Sequence, residues 1–155
     1  MEAYTLDQTD LKLLNLLQQD GLMTYKQLCT AIHKSYHPVV ERVNRLYRLG
    51  YIKKTVALVD IHKIKSVFTA FPMIQLKNHH EDTFRQFAEI VAAHPEVMEC
   101  NHIMGHYDFM LKVVVADAPA YNEFLRKNIS TLDIVQRIES FPVLAQVKEE
   151  STYRL

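Results

Sequence analysis

Leucines 11, 13, 14, 16 and 17 recur along TLDQTDLKLLNLLQQDG (5–21) at spacings that place them on one face of a helix. Asp7 offers a capping acceptor near its start, and Gly21 is placed to close it in the left-handed conformation. TYKQLCTAI (24–32) predicts a shorter second helix. Thr24 and Gln27 there have the spacing of a capping box, and Leu28, Ala31 and Ile32 point inward. A short link, HKSY, leads into KSYHPVVERVNRLYRLGYI (34–52). With Ser35 as N-cap, Pro38 falls in the first turn, where a missing N–H costs little. At 100° per residue, Tyr36, Val39, Val40, Val43, Leu46 and Tyr47 gather on one side. His37, Glu41, Asn44, Arg45 and Arg48 gather on the other, with Arg42 and Leu49 at a border. Gly50 ends this helix, and YIKKTVALVD (51–60) alternates like a strand or hairpin arm. Three short helices, a tight turn before the third and a trailing strand predict a winged helix-turn-helix.

The pattern then changes period. SVFTAFPMIQLK (66–77) reads as a strand, with Pro72 pointing to an edge or a bulge. Phe84, Phe87, Ala88 and Val91 mark a helix over 78–94. VMECNHIM (97–104) and YDFMLKVVV (107–115) read as strands around Gly105-His106. Residues 117–129 predict a helix capped by Asp117 with Pro119 in its first turn, and 133–149 a long final strand. The order βαββαβ is the ferredoxin-like arrangement, so the predicted class is α+β. The expected organisation is a DNA-binding unit over 1–54, a linker strand and hinge over 55–66, the ferredoxin-like domain over 67–150 and a tail over 151–155. Met98, Cys100 and Met104 are expected to line an apolar open face of the sheet that a second copy covers.

Charge sharpens the division. The 155-residue chain is neutral overall, yet residues 1–65 hold ten Lys/Arg against six Asp/Glu, and residues 66–155 hold eight against twelve. Within 24–54 the imbalance is seven to one, which points to a polyanionic partner for the first part. A composition 48% hydrophobic with three glycines is that of a folded protein. There is no apolar run of membrane-spanning length and no leader pattern in MEAYTLDQTD, so a cytoplasmic protein is expected. Cys29 and Cys100 lack partners at metal spacing and read as small buried hydrophobes.

DNA affinity depends on Lys and Arg neutralising phosphates, and bases are read near the start of a helix lying in the major groove. The expected contacts are Ser35, Tyr36, His37, Glu41, Arg42 and Arg45, with Arg42 or Arg45 able to fork onto guanine. Lys34, Arg48, Lys53 and Lys54 are assigned to phosphates. His79-His80-Glu81-Asp82 reads as a solvated helix start, and His102 with His106 lacks a matched third ligand, so no metal and no cofactor are expected.

Three stretches carry a family resemblance. LDQTDLKLLNLLQQDG resembles the opening helix of the leucine-responsive/asparagine-regulator (Lrp/AsnC) transcription factors. SYHPVVERVNRLYRLGYIKK is similar to their recognition helix and the turn into the wing, although His33-Lys34 stands where the family often has Gly and an apolar residue. HPEVMECNHIMGHYDFMLKVVVAD resembles the Gly-x-Tyr-Asp hallmark of their ligand-sensing (RAM) domain. The resemblance implies a regulator that binds double-stranded DNA as a homodimer, with dimers assembling into octamers or other rings. It implies an amino acid or related metabolite as effector, held near Gly105, His106, Tyr107 and Asp108 and facing the loop at Ser130 and Thr131. Backbone N–H groups near Gly105 would take its carboxylate and Asp108 its ammonium group. Two other readings share the fold: an enzyme like the sirohaem decarboxylases, using His102, His106 or Arg137, and a DNA-organising protein without a ligand.

Overall fold

The computed structural model describes residues 4–155, so the first three residues of the polar opening stretch lie outside it. The chain forms two compact units. One runs through Leu58 and takes in Lys148–Leu155, and the other is Val59–Val147. The boundary therefore falls at Leu58, beyond the expected Lys54, and the tail belongs with the first unit from Lys148 onward.

In the first unit α1 spans Gln8–Gln19, α2 Tyr25–Ile32 and α3 Tyr36–Arg48. Both expected caps form. The Asp7 carboxylate accepts from the Thr9 and Asp10 N–H groups, and Thr24 with Gln27 closes a capping box. The core comprises Leu13, Leu14, Leu28, Val39, Val43 and Leu46. Ser35 takes the N-cap position of α3, but its hydroxyl makes no capping bond. Gly50 adopts φ 79° just past α3, as a helix-ending glycine should.

Gly21 departs from expectation. Asp20, in an extended conformation, ends α1, and Gly21 is not left-handed. Its need for glycine is steric: a Cβ there would stand 2.7 Å from Thr55 Cγ2, and the Thr55 hydroxyl is tied to Tyr47 Oη at 2.8 Å. Gly21→Ala is expected to destabilise this unit by about 1 kcal/mol, at the low end of overpacking costs. Urea denaturation measures it, and an unchanged midpoint would mean that Thr55 turns aside at no cost.

The strand expected over 51–60 does not form; this segment is irregular and exposed except at Ile52. β-branched alternation describes residues suited to a pleated surface, but a strand also needs a partner, and none pairs with this segment among the described residues.

In the second unit a 3-10 turn at Ile61–Lys63 precedes β1 (Phe68–Leu76), α4 (Glu81–Ala92), β2 (Val97–His102), β3 (Phe109–Val115), α5 (Ala118–Phe124) and β4 (Val135–Pro142). Asp117 caps α5, accepting from Ala120 N–H at 2.8 Å. A π-turn at Leu125–Ile129 continues α5 where one regular helix was expected. The antiparallel sheet has the order β2-β3-β1-β4. Alternate β1 residues Ala70, Pro72, Ile74 and Leu76 are buried, and Phe87, Val91, Leu111, Val113, Tyr121, Phe124 and Ile129 complete the core with Ala70, Ile74 and Leu76.

Four further expectations change, three in this unit and one spanning both. Pro72 lies in an interior strand rather than at an edge; the β1–β3 pairing lapses at Phe71 and Pro72, which accommodates the missing N–H. The final strand stops at Pro142 instead of running to 149; one further bond, from Val143 N–H to Thr69 O at 2.9 Å, follows it near the start of β1. Cys100 pairs with Leu111, a core residue, and Met104 lies in the loop beyond β2, so these two do not line the open face; Met98 falls at a register shift and is exposed. Register places Phe71, Met73, Met110, Lys112, Glu139 and Phe141 there instead. Cys29 is half-buried and Cys100 exposed, so neither is a fully buried hydrophobe.

Candidate functional site

α3 is presented by a turn in which His33 adopts φ 54°, and Lys34 N–H closes back onto Cys29 O at 3.1 Å. This helix ending usually uses glycine; His33 accepts the left-handed conformation in its place. Val39, Val43 and Leu46 anchor the helix in the core. Tyr36, His37, Glu41, Asn44 and Arg48 are exposed along it, as are Lys34, Ser35, Lys53 and Lys54 nearby. Lys34, Arg48, Lys53 and Lys54 make no ion pair among the described residues. Asn44, absent from the expected contacts, stands in this stripe with its Oδ1 accepting from Tyr25 Oη at 3.3 Å. The edge of the Tyr25 ring also meets Tyr36.

Arg42 and Arg45 are placed differently from their neighbours. Arg42 Nη1 lies 2.6 Å from Asp7 Oδ2 and 2.9 Å from Asp10 Oδ1. Arg45 sits 4.3 Å over the Tyr4 ring, with Nη2 3.8 Å from Asp10. Asp10 is wholly buried, and it also accepts from Tyr4 Oη at 2.5 Å and Asp7 N–H at 3.2 Å. Burial alone would push the Asp10 carboxyl up, but the bonds from Tyr4, Asp7 and Arg42 outweigh it and hold its pKa below the ordinary value. Asp7 is lowered by the Asp10 N–H and by Arg42. The Asp7-x-x-Asp10 spacing was legible as a helix start; that Asp10 receives two arginines from a helix thirty residues on was not.

The second candidate region lies at one end of the sheet. Gly105 has φ 133°, a conformation open to glycine and strained for other residues. Asp108 bridges to the interior strand: its N–H donates to Ile74 O at 2.8 Å, and its Oδ2 accepts from Leu76 N–H at 2.7 Å. Its Oδ1 lies 3.1 Å from His79 Nε2. Tyr107 Oη donates to Glu139, whose carboxylate also meets Arg137 at 3.4 Å, and this bond raises the Tyr107 pKa. His106 stands edge-on to Tyr107, and His102 packs against Phe84 and Phe109. Ser130 N–H closes the π-turn onto Leu125 O, and Thr131 Oγ1 donates to Lys127 O. The two loops flank the end of β1 from opposite sides, through Asp108 N–H to Ile74 O and Lys77 N–H to Ile134 O. No hydrogen bond joins them among the described residues.

A helix-turn-helix with an exposed polar third helix, followed by a βαββαβ sheet with loops gathered at one end, defines a two-part DNA-binding regulator. The comparisons agree. Residues 6–53 match the winged helix-turn-helix DNA-binding model and residues 69–153 the Lrp/AsnC ligand-binding domain model. The chain is 33% identical to the leucine-responsive regulatory protein of Klebsiella pneumoniae, over 94% of this chain and 89% of that one. It is also 33% identical to the DNA-binding transcriptional activator DecR of Escherichia coli K12, over 92% and 94%. Among solved structures, a Neisseria meningitidis transcriptional regulator in complex with L-Met matches with a TM-score of 0.89 at 27% identity, covering 97% of each chain. An AsnC family regulator from Agrobacterium tumefaciens matches at 0.88 and 29%, covering 96% of this chain and 97% of that one. The chain belongs to the Lrp/AsnC family. It is a DNA-binding transcriptional regulator that carries a ligand-binding domain, and the fold is the expected α+β combination. No helix among the described residues is long and apolar enough to cross a membrane.

Proposed function

We propose that the exposed stripe of α3 reads operator bases and that the Gly105–Asp108 loop takes an amino acid or related metabolite which alters DNA binding. The observation that carries the first half is the stripe itself: His37, Glu41, Asn44 and Arg48 share one exposed face of a helix whose opposite face is core. Lys34, Lys53 and Lys54 meet phosphate, and Ser35 and Tyr36 stand at the helix start. Arg48→Ala then weakens binding to any duplex and lowers the salt slope of binding by about 1, the share of a single neutralised phosphate, whereas His37→Ala relaxes sequence preference. Titrations across a salt series decide this; unaltered affinity in both variants would remove α3 from the interface.

For the effector, backbone N–H groups around Gly105 and His106 suit a carboxylate, and the Asp108 charge suits an ammonium group. Ser130 and Thr131 belong to the facing loop, where a second dimer completes the site. The assembly unit is a homodimer joined through the ligand-binding domain, with dimers building octamers. Asp108→Asn keeps an acceptor for Leu76 N–H but loses the charge, so basal DNA binding persists while the thermal shift with amino acids disappears. A full shift in that variant would place the ammonium group elsewhere. The protein acts without catalysis, a reading supported by the transcriptional regulators that make up its family; His102, packed against Phe84 and Phe109, and His106, edge-on to Tyr107, are both exposed.

A further inference from the structure

We propose that Asp7, Asp10 and Tyr4 form a receptor for the two inner arginines of α3, so that Arg42 and Arg45 are positioning residues that set the helix for DNA and do not touch it. This rests on α3 being the recognition helix. The apolar anchor of that helix, Val39, Val43 and Leu46, sets which face of α3 turns outward, but apolar contact is non-directional and leaves its finer orientation to other bonds. A guanidinium shared between two carboxylates is directional. Arg42 spans Asp7 and Asp10 at 2.6 and 2.9 Å, and so ties the middle of α3 to the first turn of α1.

The charge count supports the same assignment. Two carboxylates face two guanidinium groups, so the cluster is neutral. The seven-to-one basic excess of 24–54 overstates what DNA meets, because two of its seven cations are answered by acids outside that window. Moving Arg42 to a phosphate would strip the wholly buried Asp10 of its closest cation, a larger penalty than one solvent-exposed phosphate interaction returns. Arg45 is stacked on Tyr4, and its Nε is buried without a hydrogen-bond partner among the described residues; reaching a base would require leaving both Tyr4 and Asp10. Tyr4 is itself held, its hydroxyl donating to Asp10 and its carbonyl accepting from Tyr51 Oη at 3.0 Å.

The test uses the full chain, a duplex it selects from a random-sequence pool and a scrambled duplex of equal length. Affinities for both are measured across a salt series for Arg42→Gln, Arg45→Gln, Asp7→Asn and Arg48→Gln. Arg42→Gln is expected to lower the selected-to-scrambled affinity ratio roughly tenfold while leaving the salt slope as in the wild type. Arg45→Gln likewise leaves the slope unchanged, and Arg48→Gln reduces it by about 1. Asp7→Asn keeps the helix cap but removes one carboxylate from Arg42; it is expected to lower the ratio without strengthening binding to scrambled DNA. If circular dichroism shows Arg42→Gln unfolded, Arg45→Gln and Asp7→Asn decide. A slope reduced in Arg42→Gln or Arg45→Gln as it is in Arg48→Gln would overturn the proposal. So would an unchanged ratio in Arg42→Gln, or tighter binding of both duplexes by Asp7→Asn. A wild type that prefers no duplex, with Arg48→Gln unaltered, would instead overturn the assignment of α3 as the reading helix, and this inference with it.

Discussion

Asp10→Ala is expected to cost the first unit about 3 kcal/mol, the low end of what breaking a buried ion pair costs. Asp10 is wholly buried and accepts from Tyr4, Asp7 N–H and Arg42. Alanine would leave Tyr4 Oη without its acceptor and Arg42 with Asp7 alone; the surviving Asp7 pairing keeps the cost at the low end. The same carboxylates make the unit's stability acid-sensitive. Both pKa values are held below the ordinary 3.8. The folded state therefore binds protons less readily than the unfolded chain. Their stabilisation is fully present above about pH 3.8 and is lost as pH falls through the lower folded values. Asp10→Asn, which cannot titrate, should thus melt well below the wild type near neutrality and approach it in acid. Melting curves from neutral pH downward measure this, and a gap that stays constant with pH would show that the Asp10 charge contributes nothing.

Phe87→Ala is expected to be costlier, about 4 kcal/mol, within the range for emptying a buried phenylalanine site. Phe87 is wholly buried, and its ring packs 4.8 Å from that of Phe109 in the core under the sheet. Phe109 directly follows Asp108, so the cavity opens beneath the loop proposed to take the effector and, on that proposal, should weaken effector binding as well as fold. Each unit has its own core, and a calorimetric scan should show the second unit's transition moving down with the first unit's unchanged. Phe87→Leu, which refills most of the volume, should recover the greater part of the stability. Equal destabilisation by alanine and leucine would mean that the aromatic ring contact, not volume, holds this core.

Much of the architecture was legible because it rests on local patterns. Leucine spacing gave α1, the Asp7 and Thr24 caps gave two helix starts, and alternation in 68–76 and 109–115 gave the two interior strands. The Gly105-x-Tyr-Asp loop was legible as a motif, and the positive φ of Gly105 is the physical reason for its first residue. Other features were illegible because the missing information lay elsewhere in the chain. YIKKTVALVD has the residues of a strand but no pairing partner among the described residues, and the strand pattern of 143–149 runs on well past the first residues of β1, to which only Val143 still bonds. Alternation counted from within a strand puts Cys100 on the open face, whereas the register shift between Val97 and Glu99 turns it toward the helices.

The sequence by itself determined the two-part organisation, the α+β class and a basic third helix exposed along its polar face, because helix and strand periodicity and charge are properties of neighbouring residues. Only the tertiary structure decided which of the three arginines on that helix face outward. Spacing puts Arg45 and Arg48 together on the polar side with Arg42 at its border, yet it is Arg42 and Arg45 that pair alike, because Asp10 is carried by another helix and buried beside those two, while Arg48 makes no ion pair among the described residues. Asp108 divides in the same way. Its motif marked it as a ligand for an ammonium group, but only the sheet register shows its carboxylate already fastening the end of β1 through Leu76. A charge acts through space, and its partner cannot be read from the residues beside it.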